Sequence, residues 1–256
     1  MRGGILISKV IHYVWFGGND LGEKEKCCIN SWRQVMPDYE IVCWNESNFD
    51  IFSNTYCREA YSMKKWAFVS DYVRLSVLVR YGGIYLDTDV EVLKPFDDLL
   101  DSHAFAGFED DHNISTGVLA CEKGFSLFSE FLETYNNRTF FKENGSQDLT
   151  TNVACLTKFC EEKGFILNNK KQVLCDLIVY PKDFFCAKDY ISGSVKATSN
   201  TYAIHHFNSS WLDKNTKSYL HLRWEYLKKH PNASTFRAMI FAKLYLLKEI
   251  LLRERR

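Results

Sequence analysis

Apolar positions along the chain change period several times, and each change marks an element. Ile5 to Phe16 is rich in β-branched and aromatic residues and ends in Gly17-Gly18, which predicts a buried strand and a turn. Glu23 to Gln34 predicts a helix, Pro37-Asp38 breaks it, and Tyr39 to Trp44 is a short apolar run closed by Asn45. A strand–helix–strand opening of this kind predicts an α/β sheet with parallel strands. Lys64 to Tyr81 carries the clearest helical pattern, because Phe68, Tyr72, Leu75 and Val79 share one face and Gly82-Gly83 supplies the stop. Ile84-Tyr85-Leu86 then predicts a short strand running into Asp87-Thr88-Asp89, with Val90 to Leu93 continuing extended as far as Pro95. Ala104 to Phe108 and Thr116 to Ala120 read as strands, Phe125 to Tyr135 and Leu149 to Glu162 as helices, and Tyr180 to Trp211 as irregular and turn-rich.

The last stretch differs in character. Met239, Ile240, Leu244, Leu247 and Leu251 form an apolar stripe beside Arg237, Lys243, Lys248, Arg253, Arg255 and Arg256. Such a helix either packs on a domain with its basic face in water or lies on an anionic membrane surface. No internal repeat or low-complexity linker interrupts the chain, so the expected organisation is one domain over residues 1–234 and a basic amphipathic helix over 235–256.

Composition narrows the class. Hydrophobic residues at 46% and charged residues at 25% are ordinary for a globular protein, and a net charge of zero gives no sign of nucleic-acid binding. Aromatics reach 15%; most are expected in the core, though rings also stack on sugars and bases. The nine cysteines are odd in number and form no CxxC pair, which predicts reduced thiols rather than a zinc site or a disulfide framework. With no signal peptide visible and no apolar run of about 18 residues, the expected location is cytoplasmic, with any membrane contact peripheral and on the inner face of the plasma membrane.

The candidate chemistry lies at the predicted strand end. Side chains two apart in an extended segment point the same way, so Asp87 and Asp89 are expected to project together, with Thr88 opposed. Converging carboxylates repel unless a cation sits between them, and hard oxygen ligands suit Mg²⁺ or Mn²⁺. An isolated D-x-D is more often two surface aspartates; the apolar strand that delivers this pair to the carboxyl edge of a sheet favours a ligand site. Asp71 and Arg74, three apart on the preceding helix, form either a plain ion pair or a pair that holds donor hydroxyls and phosphate oxygens.

Three blocks share a resemblance. Ser70-Asp71-Tyr72-Val73-Arg74 through Tyr81-Gly82-Gly83-Ile84-Tyr85-Leu86-Asp87-Thr88-Asp89-Val90 resembles the DXD signature of GT-A glycosyltransferases. The similarity is to the sugar-binding-region family of capsular polysaccharide transferases and yeast α-1,6-mannosyltransferases, and also to the core of large clostridial glucosylating toxins. Ile11-His12-Tyr13-Val14-Trp15-Phe16-Gly17-Gly18 resembles the family's opening strand, and Thr201 to Trp211 its closing motif.

The resemblance implies a Rossmann-like α/β fold: a mixed, mainly parallel sheet flanked by helices. It implies retaining transfer of a hexose from a nucleotide-diphosphate sugar, of which a UDP-hexose is the expected donor, with Mn²⁺ or Mg²⁺. The acceptor implied is a glycan or lipid-linked glycan in surface polysaccharide synthesis. By the same resemblance Trp15 stacks on the base while backbone near Val14 reads its edge, and Asp71 and Arg74 hold the donor sugar. Asp87, with Thr88 between the two acids, contacts ribose or metal, and Asp89 binds the metal. His205, favoured over His206, completes the metal shell, and Ser210 and Trp211 close over the diphosphate. The chain departs from the family at Thr151-Asn152-Val153, where many relatives have Thr-Gly-Pro; Asn113, Ser115 and Asp148 are acceptor-side candidates. Two rival readings are a haloacid-dehalogenase-like phosphohydrolase with Asp87 as nucleophile and an inactive nucleotide-sugar-binding protein.

Overall fold

The computed structural model describes residues 6–208 and 214–253. The chain divides into two compact units, one made of Met1–Ala187 with Ala197–His206 and the other of Lys188–Lys196 with Phe207–Arg256.

In the first unit, β1 (Val10–Val14), α1 (Glu23–Val35) and β2 (Glu40–Trp44) form the opening, followed by α2 (Thr55–Ser62), α3 (Trp66–Tyr81) and β3 (Gly83–Leu86). Then come β4 (Val90–Val92), β5 (Ala104–Phe108), β6 (Ile114–Cys121), α4 (Ser126–Glu133), α5 (Asn152–Glu162), β7 (Gln172–Leu174), β8 (Leu177–Tyr180) and β9 (Ala203–His205). Among the described residues the main sheet has the order β2-β1-β3-β6-β5-β8-β7. Strands β2, β1, β3, β5 and β8 run one way and β6 and β7 run back, so the sheet is mixed and mainly parallel. β4 and β9 form a separate antiparallel ribbon.

Side-chain alternation along β3 splits the interior into two layers. Tyr85 joins the core built with α2 to α5, while Ile84 and Leu86 join the core that holds Ile29 and Trp32 of α1. Helices therefore cover both faces, the α/β arrangement expected from the sequence.

Gly82-Gly83 between α3 and β3 is a steric requirement. Both glycines have positive φ, and a Cβ on Gly83 would lie 2.6 Å from the Val10 carbonyl oxygen. His12 bridges this turn: Trp44 donates to its Nδ1 at 3.1 Å, so its Nε2–H donates to the Gly82 carbonyl at 2.9 Å. Burial lowers the His12 pKa, which suits the neutral ring that this pair of bonds needs.

Three differences between the structure and the sequence pattern bear on the candidate site. The helix expected from Lys64 starts at Trp66, because Lys64 takes a left-handed φ of 55° at the end of α2. The extended run expected through Asp87 to Leu93 is broken by a turn in which the Val90 amide donates to the Asp87 carbonyl at 3.0 Å. The residues beyond that turn leave the main sheet to pair with β9. The irregular stretch from Tyr180 contains β9 itself, too short at three residues to show a period.

The second unit is a helical pair, α6 (Lys214–Lys229) and α7 (Thr235–Arg253), with the 188–196 segment tied to α6. Arg223 and Trp224 both donate to the Tyr190 carbonyl, at 3.1 and 2.9 Å. Among the described residues no helix is long and apolar enough to cross a membrane. All nine cysteines are free thiols.

Candidate active site

Strand direction gathers the candidate residues on one edge of the sheet. β1 and β3 are parallel, so Trp15 and Asp87 follow their strands at the same edge. β6 runs antiparallel to β3 and starts there, and β5 ends there with Glu109 next in sequence. The Asp87 amide donates to the Gly117 carbonyl at 2.9 Å, which extends the β3–β6 ladder by one bond.

Helix α3 supplies two buried charges to this edge. Arg74 lies 3.1 Å from Asp71, with side chains 5% and 11% exposed, so the pair is no solvated surface bridge. The guanidinium also donates to the Thr116 carbonyl at 2.7 Å and Ser70 Oγ at 3.1 Å, and it lies over the Tyr85 ring at 4.6 Å. Its remaining reach is to Asp87, 3.3 Å away. The Tyr85 hydroxyl donates to the same carboxylate at 2.8 Å, so Asp87 is oriented from two sides. The far side of Asp71 accepts the Asn152 amide at 3.3 Å, at the first turn of α5. Burial pushes the Asp71 carboxyl up to about 6 against the pull of Arg74, while Asp87 adds to the rise.

The β4–β9 ribbon brings the third group. β9 sets His205 opposite Val90, and the His206 amide donates to the Asp89 carbonyl at 2.9 Å. Neighbouring residues on a strand point opposite ways, so the two histidines part company. His205 Nε2 lies 3.3 Å from Asp89 Oδ1, with these side chains 11% and 13% exposed. His206 Nε2 pairs with Glu91 at 2.8 Å and is a third exposed. Burial lowers the His205 pKa, but the Asp89 carboxylate outweighs it and holds the imidazole well above its ordinary value.

One ligand atom from each of Asp87, Asp89 and His205 lies within 4.8 Å of the other two. Two carboxylates and an imidazole suit Mn²⁺ or Mg²⁺. The wall beside them is shaped for them as well. A Cβ on Gly117 would sit 2.9 Å from His205 Cε1 and 3.2 Å from Asp87 Oδ2. The residues present therefore fit a divalent cation.

The remaining candidate residues are spread around this edge. Val14 is buried at the end of β1; Trp15 is partly buried and donates its indole N–H to the Asn19 carbonyl at 2.6 Å. Beyond it lies an open cavity of about 620 Å³ lined by Gly17, Gly18, Glu46, Tyr61, Lys64 and Trp66 among others. Thr88 occupies the turn between the two aspartates, which converge through that turn rather than through strand alternation. Ser210 and Trp211 lie outside the described residues. Asp148 is paired with Arg138 at 2.8 Å, Asn113 bonds Asp110 at 3.0 Å, and buried Ser115 accepts the Gly117 amide at 3.3 Å.

Sequence reasoning missed Tyr85, Thr116, Gly117, Glu109 and Asn152 as parts of the site. Gly117 did leave a signal, an isolated glycine inside an apolar strand, which marks a close approach. Glu109 left none. Burial pushes its carboxyl up to about 7, with His205 opposing and Asp110, Asp87 and Asp89 adding, and only the β5 register brings it near.

Comparison with known proteins finds similarity over the part of the chain that carries the aspartates. The family described as glycosyltransferase sugar-binding region containing DXD motif matches residues 22–106, a span that includes Asp71, Arg74, Asp87 and Asp89. Over that third of its length the chain is similar to a DXD-containing glycosyltransferase region. It is 32% identical over 130 residues to inositol phosphoceramide mannosyltransferase 3 of Schizosaccharomyces pombe, covering 46% of this chain and 34% of that protein. It is 24% identical over 161 residues to subversion of eukaryotic traffic protein A of Legionella pneumophila, covering 50% and 24%. The matched regions thus span about a third or less of these relatives. Among solved structures, the PaToxG glycosyltransferase aligns with a TM-score of 0.47 and 19% identity, covering 62% of this chain and 69% of that one.

Proposed function

We propose that the chain transfers a hexose, with retention, from a nucleotide-diphosphate sugar to a glycan or lipid-linked glycan, with a divalent cation held by Asp87, Asp89 and His205. UDP-hexose is the proposed donor, Mn²⁺ or Mg²⁺ the proposed ion and surface polysaccharide synthesis the proposed setting. A cytoplasmic site of action with peripheral membrane contact through the C-terminal helix completes the reading, and the free cysteines support a reducing compartment. The observation that carries the proposal is the convergence of three ligand atoms within 4.8 Å beside a buried arginine.

Breaking the bond between the anomeric carbon and the phosphate leaves growing negative charge on the diphosphate and a sugar resembling an oxocarbenium ion. A bound divalent cation supplies Lewis-acid stabilisation of that leaving group. The chain's own residues hold the field around it. Arg74 is fixed by Asp71, Ser70 and Thr116 before any ligand arrives, so its charge needs no reorganisation. Asp71, its carboxyl raised by burial, is proposed to bind sugar hydroxyls. Trp15 and the cavity beyond it are proposed to seat the base.

A panel of nucleotide sugars assayed for donor hydrolysis with and without Mn²⁺ tests this. Metal-dependent hydrolysis of at least one UDP-sugar supports it. Hydrolysis only of GDP-mannose would move the donor toward the mannosyl transfer named in the yeast relative. Hydrolysis of none, with binding retained, would favour the inactive binding module, and trapping of a phosphoryl group on Asp87 would favour the phosphohydrolase.

A further inference from the structure

The second unit segregates charge. Residues 188–196 and 207–256 contain thirteen Lys and Arg against five Asp and Glu, an excess of eight on a chain whose total is zero. The remainder carries an equal acidic excess. Such asymmetry between parts of one chain points to a partner of the opposite sign.

The same unit exposes apolar surface in an ordered way. Ala238 and Ala242 are fully buried where α7 meets α6, and Tyr226 stacks on Phe241 with ring centroids 4.7 Å apart. At roughly 100° per residue, Phe236, Ile240, Leu244 and Leu247 fall on the side of α7 opposite those alanines. Three of them, Phe236, Leu244 and Leu247, are 69%, 61% and 55% exposed. Arg237 borders this stripe on one side and Lys243 on the other, and both are exposed.

We infer that this outer face of α7 docks on an anionic lipid bilayer, with Phe236, Ile240, Leu244 and Leu247 entering the acyl boundary and Arg237 and Lys243 facing the headgroups. The inference deepens the peripheral-membrane part of the proposed function and is independent of which sugar is transferred. Charge selects the occupant. A second copy seated on this face would oppose two like charge excesses, and nucleic acid would leave the apolar stripe in water. An anionic interface satisfies both features at once.

Co-sedimentation of the full chain with phosphatidylcholine vesicles, with and without phosphatidylglycerol, tests the inference without any donor present. Binding at least tenfold tighter to the anionic vesicles at low salt is expected. Ile240→Glu with Leu244→Glu should abolish it, and Arg237→Glu with Lys243→Glu should weaken it about tenfold or more, since each basic residue near such a surface contributes roughly fivefold. Donor hydrolysis and thermal midpoint, unchanged in both variants, show that they fold. Equal binding to both vesicle types, no binding to either, or undiminished binding of the Ile240/Leu244 variant would overturn the inference. So would RNA capture without vesicle binding, or apolar-face variants that only dissociate a dimer.

Discussion

Gly117→Ala tests the site without removing a ligand, a charge or a hydrogen-bonding group. Gly117 lies inside β6, outside the positive-φ region, so alanine brings no backbone strain and the effect is one of space. The added Cβ would stand 2.9 Å from His205 Cε1, 3.0 Å from its Nδ1 and 3.2 Å from Asp87 Oδ2. Carbon–carbon contacts settle near 3.5–4.0 Å, so the methyl group must displace its neighbours by roughly half an ångström or more.

Neither neighbour can retreat without loss. Asp87 is held by the Tyr85 hydroxyl at 2.8 Å and Arg74 at 3.3 Å. His205 is buried and faces Asp89 at 3.3 Å. The strain therefore falls on two of the three proposed ligands. Overpacking of this kind costs about 1–3 kcal/mol of stability. Displaced ligation is expected to raise the Mn²⁺ concentration for half-maximal donor hydrolysis by about 10- to 100-fold, in line with other disturbances next to ligands. Metal titrations of hydrolysis, with a thermal melt to confirm folding, give the readout. A Gly117→Ala protein with unchanged metal dependence and unchanged turnover would refute the placement of a cation between Asp87, Asp89 and His205.

Asp89→Ala should lower metal-dependent hydrolysis by at least about 100-fold, because it removes a ligand outright; near-normal turnover would contradict the assignment. Tyr85→Phe keeps the buried ring but deletes the hydroxyl 2.8 Å from Asp87, and a hydrogen bond to a charged group is worth about 1.5–3 kcal/mol, so the Mn²⁺ half-saturation should rise about tenfold or more. His205→Ala should lose metal dependence while His206→Ala, whose partner Glu91 is only partly buried, should change stability by less than about 1 kcal/mol and leave metal titrations alone. Wild-type turnover should fall on the acid side as Asp71 gains a proton near pH 6 and its bridge to Arg74 weakens, and Asp71→Asn should remove that limb. The linked stability runs oppositely: the raised carboxyl binds its proton more tightly folded than unfolded, so its contribution is full below pH 3.8 and is lost as pH rises through about 6. Urea melts at pH 5 and 8 should show Asp71→Asn relatively more stable at the higher pH.

Local pattern made much of this legible. Helix α3 and the Gly82-Gly83 stop follow from period and from the one residue type that tolerates both turns. The strand order did not follow, because β6 inserts beside β3 although β4 and β5 come earlier in the chain. That insertion brings Thr116 to Arg74 and Gly117 to Asp87, contacts across 42 and 30 residues that no local window spans. Helix α6 carries a weak apolar stripe among many lysines, so its pattern alone gives little to detect.

The two histidines show where local reading ends and topology begins. His205 and His206 are chemically alike and adjacent, and composition offers nothing to separate them. Pairing separates them, because β9 aligned antiparallel on β4 turns alternate side chains to opposite faces. A shift of that pairing by one residue would exchange them, placing His206 beside the aspartates and His205 beside Glu91. The His206 amide bond to the Asp89 carbonyl resists such a shift, and it uses the backbone of a proposed ligand to do so. The third proposed metal ligand and the register of the ribbon are consequently one property of the fold. A change that loosens β4 from β9 should weaken metal binding even with Asp87, Asp89 and His205 intact.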